Sequence, residues 1–130
     1  MATINNFEDL EIWKMSRILC QEVHEIINST PLEKDYRLRD QINDSSGSIM
    51  DNIAEGFERD GKKEFRQFLS ISKGSCGECR SQLYRIYDRN YIKKQKFESM
   101  KEETILIGKK IGSFIKYLNN SDYQGVKYKI

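Results

Sequence analysis

A chain of 130 residues with 38% hydrophobic content has the size of a single domain, 1–130, built around one core. One proline, eight glycines and 32% charged residues favour an all-α protein over a β-sandwich. No apolar run approaches the roughly 18 residues of a membrane span, the N-terminus has no signal-peptide pattern, and the three cysteines are an odd number. These features predict a cytoplasmic protein that has no membrane partner and no disulfide framework.

Hydrophobic periodicity predicts four helices and a polar C-terminal tail. Pro31 and the Asp60-Gly61 pair interrupt the pattern, because proline cannot continue a helix and glycine readily ends one. Helices of this length with short links predict an antiparallel up-down-up-down four-helix bundle. The predicted helices cover residues 7–28, 35–59, 62–89 and 95–119, and the tail covers 120–130.

The first predicted helix carries more apolar surface than a bundle of this size needs. One flank holds Leu10, Trp13, Cys20 and Ile27, and a second flank holds Ile12, Leu19 and Ile26. We expect the surplus residues Ile12, Leu19 and Ile26 to contact a neighbouring copy in a homo-oligomer.

Charge is distributed unevenly along the chain, although the net charge is only +2. Residues 1–61 contain 13 acids and 6 bases, a balance of −7, and residues 62–130 contain 7 acids and 16 bases, a balance of +9. The halves could neutralise each other within one chain. They could also favour a nucleic acid partner, or a head-to-tail contact that closes into a ring.

Asn52 and Glu55 lie one turn apart beside the apolar face of the second helix. We predict that they form a structural polar bracket, bonding either the free N–H groups at the start of the third helix after Gly61 or neighbouring backbone groups of their own helix. Nucleic-acid contact and catalysis are the alternatives for this pair.

The residues that most often carry metal or catalytic chemistry are few. Four residues are of types that can bind zinc: Cys20, His24, Cys76 and Cys79. The cysteines coincide with predicted core positions, where a free cysteine behaves as a small hydrophobe. His24 is the single histidine and has no evident triad partner. We therefore expect no catalytic residues, metal or cofactor, no small-molecule substrate and no enzymatic activity.

A stripe of basic residues runs beside the apolar seam of the third helix. Its members recur every seven residues over roughly 31 Å of helix, enough to follow several phosphates. Two lysines extend one end, and two tyrosines at the other end could stack on unpaired bases. The alternative is an ordinary solvated face. The predicted nucleic-acid-binding residues are Arg59, Lys62, Lys63, Arg66, Lys73, Arg80, Tyr84 and Tyr87.

Three segments carry a resemblance to a known family: "FEDLEIWK", "DQINDSSGSIMDNIAEGFER" and "KKEFRQFLSISKGSCGECRSQL". Together with an apolar fourth helix, they resemble the bacterial four-helix-bundle proteins encoded in 23S rRNA intervening sequences, over about residues 7–118. Cys76 and Cys79 stand where leucines are usual, and Met50 stands where proline is common.

The resemblance implies an up-down bundle assembled as a ring of five, a homopentamer, with no established enzymatic activity. Similar proteins in diversity-generating retroelements are accessory proteins that bind nucleic acid and a reverse transcriptase. On this basis we expect a noncatalytic module of a homo-oligomeric ring. This module would bind RNA, alone or in a ribonucleoprotein, by contacting the phosphate backbone of the RNA. The alternative is a structural homo-oligomeric scaffold that recruits a protein partner without binding nucleic acid.

Overall fold

The computed structural model describes residues 3–120 and 128–129. Its main elements are four α-helices, which confirms the predicted all-α class and the number of long helices. Short 3-10 helices precede the first two of them, at Phe7–Asp9 and Pro31–Lys34. The α-helices are α1 (Glu11–Ser29), α2 (Tyr36–Glu58), α3 (Lys62–Asp88) and α4 (Lys94–Asn120). None of them combines the length and apolar character that crossing a membrane would require.

The ends of the helices follow from local chemistry. Pro31 occupies the first turn of the second 3-10 helix, and the Thr30 hydroxyl accepts a hydrogen bond from the Leu32 N–H at 3.2 Å. Gly61 separates α2 from α3 with a φ of 113°, a conformation that strongly favours glycine. The break predicted at this glycine is confirmed.

The predicted polar tail, 120–130, lies mostly outside the described residues, apart from Asn120 at the end of α4 and one short strand. Thr3–Ile4 (β1) pairs antiparallel with Tyr128–Lys129 (β2). A two-residue strand is too short to show periodicity in a sequence. The start of α1 also lies against α4, where the Glu11 carboxylate and the Lys110 amine are 3.0 Å apart.

Side-chain contacts give the directions of neighbouring helices. Between α2 and α3, the Phe57 and Phe65 rings are 5.8 Å apart, and Ser45 bonds Gln82 at the other end. Between α3 and α4, Phe65 contacts Phe114 and Tyr87 stacks on Phe97. Rising residue numbers on one helix therefore meet falling numbers on the next, so these helices run antiparallel.

Apolar seams on α3 and α4 form the centre of the core, and their residues recur in alternating steps of three and four. Phe114 is only partly buried, at the edge of the core. The buried seam residues are Phe65, Leu69, Ser72, Cys76, Cys79, Leu83 and Ile86 on α3, and Phe97, Met100, Thr104, Ile107, Ile111 and Leu118 on α4.

The oligomer interface predicted on the first helix is wrong. Ile12, Leu19 and Ile26 are 4%, 0% and 3% exposed, so they belong to the core of the chain itself. Trp13 and Cys20, on the other flank, are only half-buried. The two flanks are adjacent around the helix. Packing of α1 against α2 and α4 places the flank of Ile12, Leu19 and Ile26 at the centre of the buried face. No apolar surplus remains at these three positions for a neighbouring copy.

Candidate nucleic-acid interface

The basic stripe lies along the groove between α3 and α4. Arg66 Nη1 donates to Asn119 Oδ1 on α4 at 2.6 Å. Lys73 extends over Gly112 of α4, where an added Cβ would meet Lys73 Cε at 3.4 Å. The structure thus directs these α3 bases toward a second helix, a placement that the heptad spacing alone did not predict.

One part of this groove is a cleft of about 270 Å³ with a basic rim. Lys73 and Arg80 come from α3, and Lys109 comes from α4. The remaining lining residues are small or uncharged: Cys76, Gly77, Thr104, Ile105 and Gly108. We call this feature the α3–α4 cleft.

Lys109 is the residue that sequence reasoning missed. The sequence feature that could have located it is the Gly108-x-x-x-Gly112 spacing, because this spacing is typical of a close crossing between two helices. In the structure both glycines face α3, and an added Cβ at Gly108 would lie 3.8 Å from Cys76 Cβ. Lys109 lines the cleft at this crossing together with Lys73 and Arg80 of the α3 stripe.

The electrostatics of the α3–α4 cleft favour an anion. No acidic residue lines it, and within residues 3–120 none of Lys73, Arg80 and Lys109 forms an ion pair. Burial raises the pKa of the Cys76 thiol to about 12, so no thiolate offsets the positive charge. Three other clefts of the molecule each include at least one acid, such as Glu11, Glu25 or Glu33.

The two tyrosines of the predicted site differ in accessibility. Tyr84 is 46% exposed, and its ring meets Phe97 edge-on with centroids 4.9 Å apart. Tyr87 is partly buried and stacks on the same Phe97 ring at 4.5 Å and 12°. One face of Tyr87 is therefore already occupied, so the structure assigns that tyrosine to packing and leaves Tyr84 as the accessible ring.

The N-terminal members of the predicted stripe are not equivalent. Arg59 ends α2 rather than belonging to α3, and its guanidinium pairs with Glu55 at 2.9 Å and lies over the Phe68 ring. Lys63 is exposed and three residues before Arg66, so it continues the stripe. Lys62 is partly buried at the first turn of α3.

The polar bracket is only partly correct. Asn52 Nδ2 donates to the Ser48 carbonyl at 2.8 Å and to Ser48 Oγ at 2.9 Å, within α2 rather than toward the start of α3. Ser48 in turn shares a hydrogen bond with Ser75 on α3. Glu55 is excluded from this arrangement, because its carboxylate is exposed and pairs with Arg59. The link between the helices therefore runs through serine hydroxyls.

The four zinc candidates do not converge in the structure. Cys76 and Cys79 are buried in the core, and Cys20 Sγ donates to the Ser46 carbonyl at 3.2 Å. His24 Nε2 lies 3.0 Å from Asn28 Nδ2 on the exposed side of α1. In the described part of the chain, no three His, Cys, Asp or Glu side chains form a metal-binding group.

Comparison with known proteins gives a family and a fold. Residues 8–113 match the family model described as 23S rRNA-intervening sequence protein. The chain is also similar to the crystal structure of a protein of unknown function from the S23 ribosomal protein family of Bacteroides thetaiotaomicron. The TM-score is 0.73 at 23% identity, over 81% of this chain and 98% of that one. Among curated proteins, none matches the sequence.

Proposed function

Because the chain belongs to the 23S rRNA-intervening sequence protein family, we propose that it is a noncatalytic module that binds the phosphate backbone of RNA. The observation that carries this proposal is the basic groove between α3 and α4. Cations from two helices converge there, and no acid lines its α3–α4 cleft. This arrangement suits a polyanion that neutralises several charges at once.

The proposed mode of binding is electrostatic and tolerant of sequence. Lysine and arginine at the groove replace counterions condensed on phosphates, and the released ions make the affinity depend steeply on salt. Contacts to phosphate position a nucleic acid without identifying its bases. The module would therefore bind many RNA sequences with similar affinity.

Salt-dependent RNA binding tests this function. We expect the triple variant Arg66→Ala, Lys73→Ala and Arg80→Ala to lose affinity on all RNA sequences and to flatten the slope of log affinity against log salt by about two to three units. A matched triple variant, Lys14→Ala, Arg37→Ala and Lys94→Ala, removes three exposed bases outside the α3–α4 cleft. Equal slopes for the two triple variants would contradict the proposal.

We further propose that this up-down-up-down bundle assembles in the cytoplasm as a homo-oligomeric ring, with five copies as the expected number. The residues predicted for the interface are buried, so other apolar side chains must form it. Ile18 on α1 and Leu106 on α4 are 51% and 46% exposed and are available for this contact. Light scattering should show an oligomer that the double variant Ile18→Glu, Leu106→Glu converts to the 15.4 kDa monomer. A monomeric parent protein would refute the ring.

The same exposed residues support the alternative function, a scaffold that recruits a protein partner such as a reverse transcriptase. Exposed apolar side chains favour protein contacts, whereas the basic groove favours nucleic acid. If the protein is a scaffold, its partner should bind the Arg66→Ala, Lys73→Ala, Arg80→Ala variant and the parent protein equally well. RNA binding with a steep salt slope supports the first function instead.

A further inference from the structure

The α3–α4 cleft is narrow as well as basic. Packed helices have axes about 8 to 10 Å apart, so the groove between them is narrower than a nucleic acid duplex. Gly77 and Gly108 supply part of its lining, and a Cβ added at Gly77 would enter open space, with no described atom within 4 Å. Arg80 is partly buried at the wall of the cleft rather than fully extended into solvent. A phosphodiester of one strand can enter this space, whereas a duplex would rest on its rim.

An accessible aromatic ring lies one helical turn beyond the cleft. Tyr84 follows Arg80 by four residues, which is a rise of about 6 Å along α3. Phe97 supports the Tyr84 ring from beside it at 4.9 Å, and Lys101 Nζ lies 5.9 Å from its centroid. A ring held in this way can stack on a base only if that base is unpaired.

From this combination we infer that the groove selects single-stranded RNA over duplex RNA. A backbone phosphate occupies the α3–α4 cleft between Lys73, Arg80 and Lys109, and an adjacent base stacks on Tyr84. The inference rests on the proposed function, because it names the form of RNA that the same site takes.

Filling the cleft without changing its charge tests the inference. Gly77→Gln places a side chain in the cleft, whereas Gly74→Gln places the same side chain on α3 outside it. Both glycines have open space around an added Cβ, so both variants should fold. With a fluorescein-labelled oligouridylate as the probe, we expect Gly77→Gln to lower the affinity roughly tenfold and Gly74→Gln to leave it unchanged. An RNA duplex of equal length should compete poorly for the parent protein.

A charge variant on α4 provides a second measurement that does not depend on the glycines. Lys109→Gln should reduce the salt slope for the oligouridylate by about 0.7, the contribution of one phosphate contact on a single strand. Lys14→Gln, on the exposed side of α1, should leave the slope unchanged.

The outcomes separate the two proposals. If the parent protein binds no RNA, the proposed function fails and this inference fails with it. If the parent binds RNA but duplex competes as well as single strand, or if the Gly77 and Gly74 variants bind equally, only the single-strand inference is overturned. The single-strand inference is supported if Gly77→Gln loses affinity while Gly74→Gln does not, and if Lys109→Gln lowers the salt slope for the oligouridylate.

Discussion

Glu22 on α1 and Glu103 on α4 place two carboxyl groups together where these helices meet. Glu103 Oε2 is buried and receives no hydrogen bond from any residue that the structure describes, and Glu22 also pairs with Lys96 at 3.3 Å. Burial, reinforced by the hydrogen bond and charge of Glu22, raises the pKa of Glu103 to about 8, and the Lys96 charge opposes this rise. A proton shared between the two carboxylates would supply the missing donor, and the pH dependence of stability tests for it.

This pair predicts a pH-dependent stability. The folded chain retains a proton on Glu103 that the unfolded chain releases above the ordinary glutamate pKa of 4.5. The contribution of this group is therefore fully present below 4.5 and is lost as pH rises to about 8. We expect Glu103→Gln to remove this decline, because an amide is neutral at every pH and can donate to Glu22.

Thermal melts across this pH range measure the effect. Glu102→Gln, a change at an exposed neighbouring carboxylate, serves as the control and should retain the decline of the parent protein. Matching pH profiles for the two variants would count against the shared proton.

The close approach of α2 to α3 makes a prediction at Gly56. An added Cβ there would lie 2.6 Å from Phe68 Cβ and 3.0 Å from Phe65 Cδ1. Gly56→Ala should lower the free energy of unfolding by about 1 to 3 kcal/mol, because the helices must separate or the rings must move. Gly47→Ala, on the same helix with nothing within 4 Å, should raise the free energy by about 0.5 to 1 kcal/mol through helix propensity. Urea unfolding distinguishes the two signs, and a stabilising Gly56→Ala would contradict the packing.

Asn52 and Glu55 should differ in their effect on stability. Asn52→Ala removes two hydrogen bonds to Ser48, and the better helix propensity of alanine compensates in part. We expect a net loss of roughly 0.5 to 1.5 kcal/mol. Glu55→Ala removes an exposed pair with Arg59 and should change stability by less than about 0.5 kcal/mol. Urea unfolding of both variants checks the difference, and equal losses would mean that the Asn52 bonds contribute no more than the exposed Glu55–Arg59 pair.

The two tyrosines at the end of the groove should separate binding from stability. Tyr84→Ala should weaken binding of single-stranded RNA by about 1 to 3 kcal/mol, the usual value of one base stacked on an aromatic ring. Tyr36→Ala, at a tyrosine that is 62% exposed at the start of α2, is the matched control and should not affect binding. Fluorescence anisotropy measures both, and similar affinities would exclude Tyr84 from the site.

Tyr87→Ala should have the opposite profile. Its ring stacks on Phe97, so the loss of this aromatic pair should lower the free energy of unfolding by at least about 0.5 to 1.5 kcal/mol. RNA affinity of the folded variant should remain that of the parent. A selective loss of RNA binding with unchanged stability would restore Tyr87 to the predicted site.

Some features of the site could be predicted from the sequence because they depend on spacing along one helix. The seven-residue recurrence of Arg66, Lys73 and Arg80 places them on one side of α3 whatever the helix packs against. Lys109 could not be assigned in this way, because its place beside them depends on how α3 and α4 align. The motif resemblance to the 23S rRNA intervening-sequence family is confirmed by the match over residues 8–113.

The sequence by itself determined the four helices, their approximate ends and the core seams of α3 and α4, because periodicity and helix-breaking residues act locally. Only the tertiary structure decided which residues form the centre of the buried face of α1, since both flanks are apolar and Leu10 and Ile27 of the first flank are buried as well. It also decided that Asn52 bonds within its own helix, and that the basic stripe lies in a groove. The buried face of α1 and the groove depend on contacts between residues far apart in the chain, which no local pattern specifies. The Asn52 bonds to Ser48 span only four residues, and they settle which of the two partners left open by the sequence is used.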